Sequence, residues 1–287
     1  MFSRSIHVLK PSKASLAVLL VLMFFCLAQL NAAPIMPGAP DYSWAFDDGS
    51  GATTATATNG AVNGQIVGAS DSSNTKFSYT GNRALDFDGS NDRVDLDGID
   101  LSSGGNSAVT ISAWVYSQDT DNSKKAQIFG NWFQGDDKQT VSLFDYTGGA
   151  RMIAQVVGDV TSSTSSSGGD FARGEWVHLV GILDGSVDKD GWIAVYVNGT
   201  LDDNNHNAGA LRNISDEGTY GIGGDAGTTD SLRYFDGLID EVAVWRSVLT
   251  NDNIEWLQTN SMTTIPEPSS LLAILLGSLT LLGFRRR

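Results

Sequence analysis

Phe235-Asp236-Gly237-Leu238-Ile239-Asp240-Glu241-Val242-Ala243-Val244-Trp245 is the stretch on which the reading of the fold turns. An Asp-Gly turn signal opens it, and valine, isoleucine and tryptophan dominate the rest, so Leu238 to Trp245 reads as a strand. Asp240 and Glu241 are neighbours, and strand alternation sends neighbours to opposite faces.

Working outward, the chain keeps a period of two almost throughout, with turn residues at short intervals. Thr219 to Gly224 precedes the quoted strand. Before it, Ile193-Ala194-Val195-Tyr196-Val197 runs into Asn198-Gly199, a type I′ hairpin signal because both residues accept positive φ. Trp176 to Leu183 is apolar on both parities, as a central strand is. Thr140 to Tyr146 and Arg151 to Val157 form a hairpin around Gly148-Gly149. Val109 to Tyr116 sets Val109, Ile111, Ala113 and Val115 on one side, and Trp114 and Tyr116 on the other. Leu85, Phe87, Val94 and Leu96 share the buried face of a hairpin that turns through Asp88-Gly89-Ser90-Asn91-Asp92. Thr250 caps a short helix, Asn251 to Leu257, with Asp252 in its first turn. Ser50 to Gly64 and Gly158 to Asp170 read as loops, the second almost all Ser, Thr, Gly and Asp. These elements make an all-β sandwich with one helix.

Between Asp41 and Ile265 there are 12 Lys plus Arg against 32 Asp plus Glu. That balance argues against nucleic acid and anionic lipid as partners. The sole cysteine, Cys26, lies in the first thirty residues, and all six prolines lie in the two terminal regions. The body of the chain therefore has no disulfide, yet it is long enough to bury a core without one.

Both termini carry addresses. Arg4, Lys10 and Lys13 precede an apolar run, Leu16 to Leu30, and then Asn31-Ala32-Ala33, the layout of a secretory signal peptide cut after Ala32 or Ala33. Phe25 before Cys26 argues against lipidation. At the other end stand Pro266-Glu267-Pro268, an apolar run and Arg285-Arg286-Arg287, which positive-inside preference keeps cytoplasmic. The 16 residues between Pro268 and Arg285 span about 24 Å as a helix, short of the ~30 Å hydrocarbon core. A marginal span suits a processing intermediate. The chain thus divides into a signal peptide (1–33), a linker (34–40), the sandwich (41–258), a second linker (259–264) and a tail (265–287) whose membrane segment is 269–284.

Catalytic groups are sparse. Ser residues lack a nucleophile-turn context. His178 lies mid-strand among apolar neighbours, as a packed histidine does, and His206 sits in an Asp/Asn-rich, solvated loop. The run Asp86, Asp88, Asp92, Asp95, Asp97, Asp100 lacks the spacing and the terminal Glu of an EF-hand and reads as the wet side of a hairpin. Sugar binding needs aromatic platforms flanked by fixed polar groups. Parity places Ser142, Phe144 and Tyr146 opposite Arg151, Ile153 and Gln155, with Trp132 at the edge. Trp132, Tyr146 and Arg151 are the candidates; Phe144 and Ile153 are better read as core.

Two resemblances follow from these motifs. The tail is similar to the PEP-CTERM sorting signal of Gram-negative bacteria, which implies recognition and cleavage by an exosortase-type membrane protease, with Pro266, Glu267 and Pro268 as sorting residues and Arg285, Arg286 and Arg287 as the basic stop. It also implies delivery from an inner-membrane intermediate to the cell surface or a matrix rich in exopolysaccharide. The body, from Ala84-Leu85-Asp86-Phe87-Asp88-Gly89 through Val109-Thr110-Ile111-Ser112-Ala113-Trp114-Val115 and Val195-Tyr196-Val197-Asn198-Gly199 to the opening stretch, resembles the laminin-G-like, concanavalin A-like jelly roll. That implies two stacked antiparallel sheets with a glycan- or protein-binding role. Glycosidases of this fold carry Glu-x-Asp-x-x-Glu on one strand, and the chain has no such spacing. Of the glutamates in the domain, Glu175, Glu217, Glu241 and Glu255, each sits alone or at an element end. The resemblance also implies paired first and last strands with a structural calcium near their junction, where Asp47 and Asp240 would join backbone carbonyls. The expectation is a non-catalytic carbohydrate-binding surface protein; a structural or adhesion protein without a glycan site and a polysaccharide hydrolase or lyase are the alternatives.

Overall fold

The structure is a computed structural model that describes residues 33–102, 107–120, 122–131, 139–156, 162–166, 170–185, 192–205, 219–225 and 231–265. The sandwich lies within the unit that begins at Ile35.

Two antiparallel sheets face each other. The first runs in the order Thr200–Asn205 (β14), Trp192–Val197 (β13), Val177–Asp184 (β12), Ala108–Ser117 (β7), Asp236–Trp245 (β16), Ala84–Asp88 (β5), Ser70–Ser72 (β4), with Tyr42–Trp44 (β1) also paired to β16. The second runs Ser162–Ser166 (β11), Gly149–Val156 (β10), Gln139–Tyr146 (β9), Lys125–Gly130 (β8), Tyr220–Ile222 (β15), Arg93–Leu96 (β6), Gly64–Val67 (β3), Thr54–Ala55 (β2).

The core between the sheets is what alternation dictates. Val109, Ile111, Ala113 and Val115 of β7 meet Val141 and Leu143 of β9 and Ala150, Met152 and Ala154 of β10 in one buried cluster, which also holds Leu85, Phe87, Val94 and Leu96. Gly181 of β12 faces this core, and a Cβ there would lie 2.6 Å from Met152 Sδ. The sheets close on each other at that point because no side chain stands between them. At the β13–β14 turn Asn198 and Gly199 have φ of 47° and 69°, the conformation expected of an Asn-Gly hairpin.

The opposite parity of the first sheet is also buried. Val180, Ile182, Ala194, Tyr196, Ala243 and Trp245 pack beneath a helix, Asn251–Thr259 (α1), through Ile254 and Leu257. Thr250 caps α1 with a reciprocal pair to Asn253, which satisfies two N-terminal backbone groups. A strand apolar on both faces therefore has a cover on each side.

Three stretches differ from the sequence reading. Residues 162–166, expected within a loop, form β11 and pair with Arg151–Gln155. An edge strand is held by backbone hydrogen bonds on one side, so a Ser/Thr run satisfies it without apolar burial. Thr54–Ala55, inside the other expected loop, likewise pairs with Gly64–Gln65 at and just beyond its end. The residues flanking the sandwich, expected as linkers, touch it at particular points, although Ile35 and Met36 are 57% and 42% exposed. Gly38 O accepts from Trp245 Nε1 at 2.8 Å and Ile35 O from Asn253 Nδ2 at 2.9 Å. On the other side a 3₁₀ turn, Met262–Thr264, buries Met262, and Ile265 comes next at 8% exposure.

Candidate functional site

The first and last strands meet as the resemblance implied: Tyr42 pairs with Val244 and Trp44 with Val242. After Trp44 the backbone turns through Phe46 at φ 57°, bringing Asp47 toward β16. There the ladder to β7 shifts register between Asp240 and Ala243, and Glu241 adopts φ 52°. This is a β-bulge with its extra residue in the left-handed region, a strained state for a side chain larger than glycine. Ile239 and Val242 both face the inter-sheet core. The two carboxylates between them are consequently both carried off the core face. Asp240 and Glu241 do not point to opposite faces, because the bulge inserts an extra residue and breaks the alternation that places neighbours on opposite sides.

Asp240 is fully buried and Glu241 nearly so. Glu241 Oε2 accepts from Met262 N at 2.6 Å, and its Oε1 accepts from Ser261 Oγ and from Tyr79 Oη at 3.4 Å. Tyr79 Oη also donates to Asp47 Oδ2 at 3.0 Å, and Asp47 Oδ1 accepts from Arg83 N at 2.9 Å. Asp240 Oδ1 accepts from Glu241 N at 2.7 Å, while Asp240 Oδ2 has no partner among the described residues. Burial, then the neighbouring Glu241 charge, hold the Asp240 carboxyl well above the usual range. Burial pushes Glu241 up to about 7 against the pull of Ser261 and Met262. Asp47 is raised as well, by burial first. Buried Asp240 and Glu241, with the exposed Asp47 near them, disfavour simultaneous ionisation; a proton or a cation relieves them. The orphaned Asp240 Oδ2 beside Asp47 is a donor set a hard cation fits. Among the described residues no group of three His, Cys, Asp or Glu side chains is arranged to hold a metal, so carbonyl or water oxygens would complete the shell.

Tyr146 and Arg151 come together on the outer face of the second sheet. Arg151 Cζ stands 3.9 Å from the Tyr146 ring centroid, and Lys125 Nζ 5.4 Å from it. Both Tyr146 and Arg151 are half-buried. Phe144 and Ile153, on the same parity, are buried at 1% and 4%, yet neither belongs to the inter-sheet core. The expected core position is corrected to this extent: both are buried on the far side of the sheet. Trp132 lies outside the described residues, as do His206, Glu217 and the sorting residues Pro266, Glu267, Pro268, Arg285, Arg286 and Arg287.

His178 is packed, as its apolar neighbours suggested. Its ring stacks on Trp114 at 4.9 Å, and Nε2 lies 2.9 Å from Ser112 Oγ. Burial, then Lys76, push it down to about 3. The serine and histidine of this pair are buried, at 3% and 1% exposure. The aspartate hairpin is a turn device: Asp92 Oδ2 accepts from Asp88 N at 3.0 Å, and Asp88 Oδ1 from Ser90 N at 2.8 Å.

Two stacked antiparallel sheets, joined first strand to last and carrying an aromatic–cation pair on an outer face, define a jelly-roll domain of the lectin type. The chain belongs to the concanavalin A-like lectin/glucanases superfamily, matched over residues 88–255. It also carries a PEP-CTERM protein-sorting motif at 264–287. No curated protein matches the chain. Among solved structures it is similar to domain 4 of AbnA, an extracellular arabinanase of Geobacillus stearothermophilus in complex with arabinotriose, at 16% identity and TM-score 0.55, covering 77% of this chain and 98% of that one. It is also similar to the botulinum neurotoxin serotype D ligand-binding domain in complex with N-acetylneuraminic acid, at 13% identity and TM-score 0.53, covering 77% and 50%. The sialidase of Trypanosoma rangeli matches at 15% identity and TM-score 0.51, covering 79% and 34%. At such identities the likeness is one of fold.

Proposed function

We propose that this is an exported, non-catalytic surface or matrix protein of a Gram-negative bacterium whose sandwich binds carbohydrate, with exopolysaccharide as the ligand class. The observation that carries the reading is the Tyr146–Arg151 pair, set at 3.9 Å on an outer sheet face of a lectin-type fold. An aromatic ring braced by a guanidinium is rigid, and rigid amphipathic rings bind sugar at low entropic cost. Trp132, Tyr146 and Arg151 form the proposed site. The ligands of two fold neighbours, arabinotriose and N-acetylneuraminic acid, support the class. The sorting motif supports an exosortase-type protease as processing partner, an inner-membrane intermediate, and delivery to the surface or matrix.

One observation favours a structural protein without a glycan site: Arg151 occupies a face of the ring that a sugar would stack on. Affinity electrophoresis of residues 34–265 through a panel of bacterial polysaccharides separates the readings. Retention is expected, without release of reducing ends or unsaturated products. Tyr146→Ala and Trp132→Ala should each weaken it by about 1 kcal/mol or more. Folded protein retained by nothing would move the assignment to the structural class, and polymer cleavage lost on a carboxylate substitution would make it an enzyme.

We also propose a structural calcium at Asp47 and Asp240. These two carboxylates would hold it, and it would neutralise the charge that burial and mutual repulsion otherwise resolve by protonation.

A further inference from the structure

The segment that ends the described chain is held by the sandwich. Glu241 Oε2 accepts from Met262 N at 2.6 Å, and Glu241 Oε1 accepts from Ser261 Oγ. Thr264 N donates to Ser261 O at 3.1 Å and Ile265 N to Met262 O at 2.9 Å, closing a 3₁₀ turn. Ser261, Met262 and Ile265 are 6%, 4% and 8% exposed. Met262 and Ile265 share an apolar cluster with Trp245 of β16 and Leu257 of α1. The strained backbone of Glu241 at φ 52° serves to aim this carboxylate at the segment, since a regular strand would have sent either Asp240 or Glu241 into the core.

The sorting motif begins at residue 264. Its first two residues, Thr264 and Ile265, therefore belong to the packed segment. From Ile265 to Ser269, where the apolar run starts, the chain spans four residue steps, about 14 Å when fully extended. A protease binds its substrate as an extended strand with residues on both sides of the cut. A hydrogen-bonded 3₁₀ turn with two buried apolar anchors does not offer that conformation, and about 14 Å leaves no slack between sandwich and bilayer.

We propose that Ser261–Ile265 is a latch on processing: Glu241, a positioning residue, pins the segment to the folded sandwich, and the sorting protease engages its motif only when the segment peels away. The inference rests on the reading that the tail is cut by such a protease. Release to the medium then tracks the open fraction of the latch. That couples the lifetime of the membrane-held form to the stability of one docked turn.

The test uses the full chain in a Gram-negative host that contains the protease, with pulse-chase release as the readout. Five Gly/Ser residues inserted between Ile265 and Pro266 leave every contact of Glu241 in place and should speed release about tenfold or more, as expected when an opening step held by hydrogen bonds to a carboxylate is bypassed. Glu241→Gln should speed release by a similar factor. In hydrogen exchange the Met262 amide should lose protection in Glu241→Gln and keep it in the insertion variant, while the Ile111 amide stays protected in both. Equal or slower release of the insertion variant, with the parent chain processed normally, overturns the latch and leaves the sorting assignment standing. No processing of any form, parent included, overturns the sorting assignment and the latch with it. An unprotected Met262 amide in the parent overturns the latch alone.

Discussion

Glu241 and His178 line the same small cavity with Ser112, Trp114, Asn260 and Met262, and each shows how position alters a side chain's chemistry. His178 is neutral in the folded state because burial pushes its pKa down to about 3, whereas in the unfolded chain it titrates near 6.5. The unfolded state binds the extra proton in acid, so the stability due to this residue is complete above about pH 6.5 and is lost as pH falls toward 3. Between pH 7 and pH 5 that loss is about 2 kcal/mol. Raised carboxyls such as Glu241 titrate with the opposite sign over the same range, so the stability difference between the parent and His178→Phe should shift by this amount between pH 7 and pH 5 in denaturant titrations; a difference that does not change with pH would mean that the imidazole is solvated. Gly199 offers a second test at this scale. At φ 69°, Gly199→Val strains the Asn198–Gly199 turn by about 1 kcal/mol or more. A melting temperature equal to the parent's would show that the turn tolerates a β-branched residue.

Among the elements, β16 organises the domain. It pairs with β1, β5 and β7, and its bulge gathers Asp47, Asp240 and Glu241 at the junction of the chain's first and last strands. If calcium binds there only in the folded state, linkage predicts a gain of ~2.7 kcal/mol at a hundred times the dissociation constant. Asp240→Asn should remove most of that gain. Identical melting in EDTA and in millimolar calcium would exclude the site. The second sheet shows a different use of an element. Residues 162–166 add an edge strand beside β10, so the outer face that carries Tyr146 and Arg151 extends one strand further than the polar sequence of that stretch suggested.

For the whole molecule, the question is how a folded sandwich travels with its address. The chain carries the sorting motif at its end, and no helix among the described residues is long and apolar enough to cross a membrane. The apolar run 269–284 lies outside them. Glu267→Ala, or deletion of Arg285 to Arg287, should hold the protein in the inner-membrane fraction of a host with the protease. Unchanged fractionation would refute the sorting assignment. Contacts of Ile35, Gly38 and Ala39 and the burial of Met262 and Ile265 lie on the same side of the first sheet and extend the sandwich to the edge of the tail.

The long apolar strands, the capped helix at 251–259 and the address at the C-terminus were legible in the sequence. Alternation, cap and turn residues, and the order of charged and apolar blocks are local properties that the chain states directly. Val109, Ile111, Ala113 and Val115 show this for the core, as do Asn198–Gly199 for a turn and Thr250 for a cap. What the tertiary structure alone decided depends on residues far apart in the chain. The bulge at Glu241 arises where β16 must satisfy three partner strands at once, so no local pattern announces that Asp240 and Glu241 share a side. The burial of Phe144 and Ile153 on the outer face, the edge pairing of a Ser/Thr run and the docking of Met262 and Ile265 have the same origin. Each requires a surface that exists only once the sheets have formed.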